Sequence, residues 1–289
     1  MNWRSGRRLT GWRKLAAASW RAPGDPQFFG SLEIDAAALQ SYVDYAREHS
    51  DCRLTITHLI GRAVAHGLVA APGLTNRLAH GREYPRQTLD LFFIVTTGDG
   101  TELTGVKIDQ VDGKSAVELG AELSARTAEL AAGTDTQLGR TKRLLAVLPP
   151  RLLRPAIRLS AWLTSDLNLD LPKLGLPRQA FGAAMVSSVG MWQVSTAYSP
   201  LAHYYRVPVL VLVNSVEPRV VARSGRPVVR PMLTLTATFD HRYTDGFQAA
   251  RFAAAVAEYC ADPRRFEPAL TAAAGTDLAA AGGGVSPSA

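Results

Sequence analysis

Residues 228–246 read VVRPMLTLTATFDHRYTDG. Residues 228–240 suit a β-strand, and a helix starts directly after Gly246. Between the two runs Phe239-Asp240-His241-Arg242-Tyr243-Thr244-Asp245-Gly246. A histidine at such a junction has a rigid support and solvent close by, which suits a general base. Asp245, four residues on, can fix the loop by pairing with an arginine, and Gly246 permits a tight entry into the helix. On these residues alone a histidine that only satisfies the turn is the competing reading, since lone histidines are usually structural.

Working outward, the helix after Gly246 carries Phe252, Val256 and Tyr259 on one face and ends near Asp262-Pro263. Upstream, 181–187 and 207–215 read as two further strands. Toward the N-terminus, residues 10–21 suit a short basic helix and Phe28–Ile34 a strand. Asp35 stands as N-cap of a helix running to about His49. Thr55–Ala71 places Ile56, Leu59, Ile60 and Ala63 on one face and stops at Pro72-Gly73. Residues 89–97 and 103–109 form two strands around Gly98-Asp99-Gly100. Ser115–Ala132 carries Leu119, Leu123 and Leu130 at helical spacing and stops at Gly133. Strands and helices mix without the regular rhythm or glycine-rich loop of a dinucleotide fold. The expectation is one α+β domain over 1–270, followed by a flexible tail, 271–289, rich in Ala, Gly and Ser.

Composition narrows the function. The 289 residues are 47% hydrophobic and 20% charged, ordinary for a folded chain. Two cysteines, Cys52 and Cys260, are too few for a disulfide framework or a cysteine-built zinc site, and no closely spaced ligand cluster suggests another metal. The net charge is +7, and only five of the 32 cations are lysine. Arginine is the better fork for phosphates and carboxylates, so a polyanionic small molecule or an anionic membrane fits as well as nucleic acid. No DNA-binding motif accompanies the charge. No secretory signal and no run of 18 uncharged apolar residues is present, so the default location is cytoplasmic.

The string FDHRYTDGFQAARF, followed by a helix ending in ADP, resembles the DHRxxDG signature of the 2-oxo acid dehydrogenase acyltransferases. It also matches the HxxxDG of the chloramphenicol acetyltransferases, which share that fold. Leu54–Leu68 followed by Pro72-Gly73-Leu74-Thr75-Asn76 is similar to the family's TxxxxxxxAxxxAL…PxxN stretch. Asp99 to Ile108 resembles its DG-L-x-x-P-V-I hairpin, and Phe181 to Gly190, FGAAMVSSVG, its serine strand. The likeness spans roughly residues 8–268. It implies a chloramphenicol acetyltransferase-like two-layer sandwich, with CoA or acyl-CoA as substrate and no metal. It further implies a homotrimer with the substrate channel between subunits. By the same resemblance His241 is the general base, Ser187 the hydroxyl that hydrogen-bonds the tetrahedral oxyanion, and Asp245 structural. Ser188 stands where many relatives have asparagine. One oxyanion donor is worth about 3 kcal/mol. Arg13 sits where the antibiotic-acetylating branch keeps a partner arginine, with Lys14 as the alternative.

The chain departs from the family in three places. The similarity starts within about ten residues of Met1, so the expectation is a stand-alone catalytic domain with no covalently bound lipoate on this chain. The family's apolar C-terminal hook is replaced by Ala, Gly and Ser, which predicts trimers that do not join into a cage. About thirty extra residues, near 140–176, precede the serine strand. From Arg140 to Ser165 they hold six cations (Arg140, Lys142, Arg143, Arg151, Arg154, Arg158) and no acid, among Leu144, Leu148, Leu152, Ile157 and Trp162. Pro149-Pro150 breaks the stretch in two. A basic amphipathic piece with tryptophan suits an anionic membrane surface or a lid over a greasy acyl chain. Packing on the protein's own core and an oligomer contact are the other readings. The function expected is CoA-dependent acyl transfer to a thiol, hydroxyl or amine, with a lipidic acyl group or acceptor. An acyltransferase component serving lipoyl domains in trans, and an idle membrane scaffold, are the alternatives.

Overall fold

The computed structural model describes residues 24–97, 102–132 and 149–270. Arg13, Lys14, the stretch 10–21, Gly98-Asp99-Gly100, the insertion's cations Arg140, Lys142 and Arg143, and the tail 271–289 lie outside the described residues. Among the described residues eight strands and five α-helices follow in chain order: β1 (Gln27–Asp35), α1 (Ala37–His49), α2 (Ile56–Ala70), β2 (Arg77–Ala79), β3 (Arg82–Tyr84), β4 (Leu91–Thr97), β5 (Glu102–Ile108), α3 (Ala116–Ala131), α4 (Pro150–Ala161), β6 (Ala184–Ser188), β7 (Val209–Arg223), β8 (Arg226–Asp240) and α5 (Gly246–Ala261).

A six-stranded sheet runs β1-β8-β7-β6-β4-β5. β6 is parallel to both β4 and β7, and the other pairings are antiparallel. The period of two along each strand sorts side chains to two faces. Ala184 and Val186 join Phe93, Val211, Val213, Leu233 and Leu235 beneath α1, α2, α3 and α5 in the main core. Met185 points the other way, into a smaller cluster with Phe92, Leu201, Val207, Leu210 and Leu212. Leu59, Ile60 and Leu68 of α2 are fully buried, and each such side chain contributes about 1.5–3 kcal/mol. A Cβ at Gly67 would stand 2.8 Å from Phe252 and 2.9 Å from Val256, so glycine there lets α2 and α5 approach closely. This is the two-layer α+β architecture expected from the sequence.

Several local readings change. Helix α1 begins at Ala37, and Ala36 rather than Asp35 holds the N-cap position. Asp35 still accepts the Ala37 N–H at 3.2 Å, but its other oxygen is drawn to Arg230 and Arg223, at 2.7 and 3.1 Å. The strands read as 207–215 and 228–240 are longer and form one ribbon turning at Ser224-Gly225, both with positive φ (50° and 76°). Pro218, Pro227 and Pro231 disguised it, because proline is usually excluded from a central strand; here they lie in the ribbon's outer part. The short hairpin β2–β3, turning at His80-Gly81, had no counterpart in the sequence reading. The break at Pro149-Pro150 is where α4 starts.

Candidate active site

β8 ends on Asp240, and His241 is the first residue of the turn. The His241 N–H donates to the Pro26 carbonyl at 2.9 Å, and its ring lies 5.1 Å from that of Phe28, which stacks on Phe239. The backbone of His241 is thus pinned to the start of β1 while the residue stays exposed. Asp240 is 1% exposed and holds the turn from within. Its carboxylate accepts the Arg242 N–H at 3.0 Å and the Arg242 Nε at 2.9 Å, and the hydrogen bond to this carboxylate raises the guanidinium pKa. Tyr243 and Thr244 are buried behind it.

The arginine pairing expected of Asp245 is therefore made by Asp240. Among the described residues Asp245 has no ion pair; it is the N-cap of α5, accepting the Gln248 N–H at 3.0 Å. A buried aspartate directly before the histidine braces the turn, and a second aspartate after it starts the helix. The sequence reading missed Asp240 and Arg242 as partners, although an acid and a base two residues apart at the end of a strand were visible signals.

Ser187 lies on β6 level with Leu212, and Leu212 is level with Thr236 on β8. It shares the face of Met185, away from the helices, whereas Ser188 faces the helices and lines a cleft of about 680 Å³ with Arg47, Thr57, Gly190 and Asn214. His241 is five residues past Thr236 and two strands from Ser187. At ~3.3 Å per residue and ~4.8 Å per strand, the two are about 19 Å apart within one chain. The fold thus brings Asp240, Arg242 and Asp245 to His241 but leaves Ser187 remote, and Arg13 is outside the described residues.

Beside the histidine turn is a cavity of about 310 Å³, lined by His80, Trp162, Asp166, Arg206, Arg242 and Tyr243. Two of these residues belong to the insertion. It is anchored by a bidentate pair between Asp166 and Arg206, at 2.9 and 2.8 Å, and by Arg77, which donates to the Ser165 and Asp166 carbonyls at 2.6 and 2.8 Å. Ahead of this anchor, Leu152 and Leu159 of α4 and Trp162 directly after it are exposed at 54%, 56% and 43%, beside exposed Arg151, Arg154 and Arg158. Among the described residues no helix is long and apolar enough to cross a membrane. Neither cysteine is an activated nucleophile: burial raises the Cys52 thiol and pushes that of Cys260 up to about 12.

Residues 176–267 match the sequence model of the family described as 2-oxoacid dehydrogenases acyltransferase (catalytic domain). A probable dihydrolipoyllysine-residue succinyltransferase component of the mitochondrial 2-oxoglutarate dehydrogenase complex of Schizosaccharomyces pombe is 34% identical over 93 residues, 32% of this chain and 20% of that protein. The chain thus spans about a fifth of the length of the curated relatives it matches. A probable dihydrolipoamide acetyltransferase from Listeria monocytogenes superposes with a TM-score of 0.63 at 18% identity, over 92% of this chain and 98% of that one. A dihydrolipoamide acetyltransferase from Azotobacter vinelandii superposes with a TM-score of 0.60 at 22% identity, over 84% of each chain. For that enzyme a serine, a histidine and an asparagine are named in the catalytic mechanism, the last two four positions apart.

Proposed function

We propose that this chain, whose residues 176–267 match the sequence model of the 2-oxoacid dehydrogenase acyltransferase catalytic domain, is a CoA-dependent acyltransferase whose active site forms between copies. The observation that carries the reading is the turn at His241. A histidine stands exposed on a braced strand end, inside the matched segment and four residues before a capping Asp245. The same spacing separates the histidine and asparagine named for the Azotobacter vinelandii enzyme.

Neutral His241 takes the proton of the acceptor's thiol, hydroxyl or amine as that atom attacks the thioester carbonyl. The carbonyl electron pair moves onto oxygen, and the Ser187 hydroxyl donates to it. Collapse of the adduct expels the CoA thiolate, which recovers the proton from the imidazolium. Because Ser187 lies about 19 Å from His241 in its own chain, the serine serving each histidine comes from a neighbouring copy, and a cyclic trimer supplies one per site. The insertion extends the reading to a lipidic acyl group or acceptor, held against Trp162 beside the histidine turn. The exposed face of α4 rests on the anionic cytoplasmic face of a membrane. A second reading takes the dihydrolipoyl thiol of a partner domain as acceptor; the name of the fission-yeast relative favours it.

Subunit complementation tests the shared site. His241→Ala and Ser187→Ala chains each lose about 10²-fold or more in acyl transfer from acetyl-CoA or succinyl-CoA to dihydrolipoamide or a long-chain alcohol. Mixed and reassembled, they regain activity, because some sites pair an intact histidine with an intact serine. No recovery on mixing, with both variants assembled, would place the two residues in one chain's site or outside catalysis. The preferred acceptor separates the two readings.

A further inference from the structure

A second cavity, of about 220 Å³, lies where the end of the insertion meets the start of β4. Four cations line it, Arg77, Arg86, Lys107 and Arg178, against one carboxylate, Asp90. Lys107 is already matched, at 3.2 Å from Asp90 and 2.7 Å from Asp109. Burial acts to raise the Asp90 carboxyl, but the Gln110 N–H and Lys107 outweigh it and hold the group below its ordinary range. The three guanidiniums are not matched: among the described residues none has a carboxylate within ion-pairing distance.

Arg77 is fixed by the two insertion carbonyls and by stacking 4.6 Å over the Tyr84 ring. Arg86 donates to the Gln179 side chain and, at 3.1 Å, to the Arg206 carbonyl. Its Nε is buried and has no hydrogen-bond partner in the described structure. Burial pushes the Arg86 guanidinium down to about 10. Asp90 is the nearby carboxylate acting on it, and Asp90 is already held by Lys107. A buried cation with a spare donor and no carboxylate paired to it is costly unless an anion completes it.

We propose that this cavity binds the phosphate group of an organic phosphate ester. A tetrahedral dianion offers several acceptor oxygens in different directions, which suits guanidiniums arriving from separate elements; a carboxylate would satisfy a single fork. The volume is below the ~300 Å³ at which pockets take a whole drug-sized ligand, so the site holds the phosphate end and little more. Asn168 reaches the cavity from the insertion, and Arg178 and Gln179 from the residues just after it, so the extra segment closes one side of the site. The proposal does not rest on acyl transfer.

Calorimetric titration of the full chain with inorganic pyrophosphate is the test. The wild type binds it saturably, and Arg178→Gln weakens binding about tenfold, the loss of one charge-assisted contact. Arg178 is exposed, so this variant keeps its fold; Arg86→Gln abolishes binding where it folds. Arg151→Gln removes the same charge from the surface of α4 and leaves binding unchanged. No heat of binding in the wild type, or equal affinity in Arg178→Gln and Arg151→Gln, overturns the site. Competition identifies the source of the phosphate. Displacement by CoA but not by dephospho-CoA assigns it to CoA, and retention against both assigns it to a separate phosphorylated molecule.

Discussion

His241 gains its position from neighbours that keep it still without covering it, and that division of labour decides what each substitution does. His241→Ala removes the proposed base and leaves the main-chain bond to Pro26 intact, so acyl transfer falls about 10²-fold or more while the melting temperature barely moves. Full activity in that variant would withdraw the base assignment. Asp245 behaves differently because it is a cap. Asparagine caps a helix nearly as well as aspartate, so Asp245→Asn keeps the protein's stability, whereas Asp245→Ala costs about 1 kcal/mol in urea unfolding. Equal losses in the two variants would point instead to a role for the charge. At this scale the local structure was legible: the order of Asp, His, Arg, Asp and Gly announced a strand end, a turn and a helix start. What the string could not tell was which aspartate meets the arginine. Asp240 and Asp245 are both within reach of Arg242 in sequence, and only the inward face of β8 buries the first while the helix start engages the second.

Among the elements, α2 carries a pH-sensitive start. The Thr55 N–H donates to Nδ1 of His58 at 3.2 Å, which requires an unprotonated ring nitrogen, and burial pushes the His58 pKa down to about 4. The folded value lies below the unfolded one, so this contribution is full above pH ~6.5 and is lost as pH falls toward ~4. At pH ~4.5 the loss is about 2–3 kcal/mol. Urea midpoints for wild type and His58→Gln at pH 7 and 4.5 check it: their difference shrinks in acid, and a constant difference would exclude His58 as the cause. The segment α4 tests the membrane reading. Arg151, Arg154 and Arg158 flank exposed Leu152, Leu159 and Trp162, and each arginine near an anionic surface contributes on the order of 1 kcal/mol. Replacing all three by glutamine should release the protein from anionic vesicles in sedimentation, with its fold and assembly unchanged. Binding by the wild type should weaken as salt rises. Indifference of the wild type to vesicles would leave α4 only its place beside the histidine turn. Regular elements with one apolar face, α2, α3 and α5, were readable from spacing. The β7–β8 ribbon and the β2–β3 hairpin were not, because both pair through turns with positive φ, and the ribbon also carries prolines in its outer part.

For the whole molecule, one chain is an incomplete catalyst under this reading. Ser187 on β6 and His241 in the turn after β8 stand about 19 Å apart by strand geometry, and no side-chain rotation closes that gap. The surface also presents large apolar groups that a lone chain leaves in water: Phe29 at 57%, Phe247 at 66%, Met191 at 66%, and the facing pair Val220 and Val229 at 70% and 66%. Phe29 and Phe247 flank the His241 region in β1 and the first turn of α5, while Met191 follows the serine strand. Contact between those two regions of neighbouring copies would cover apolar surface and join serine to histidine in one step. Light scattering should then give a mass near three chains. Specific activity should fall on dilution as trimers dissociate, since the site exists only in the assembly. A single-chain mass with activity independent of concentration would mean that His241 works without Ser187, and the oxyanion donor would have to be sought near the histidine turn itself.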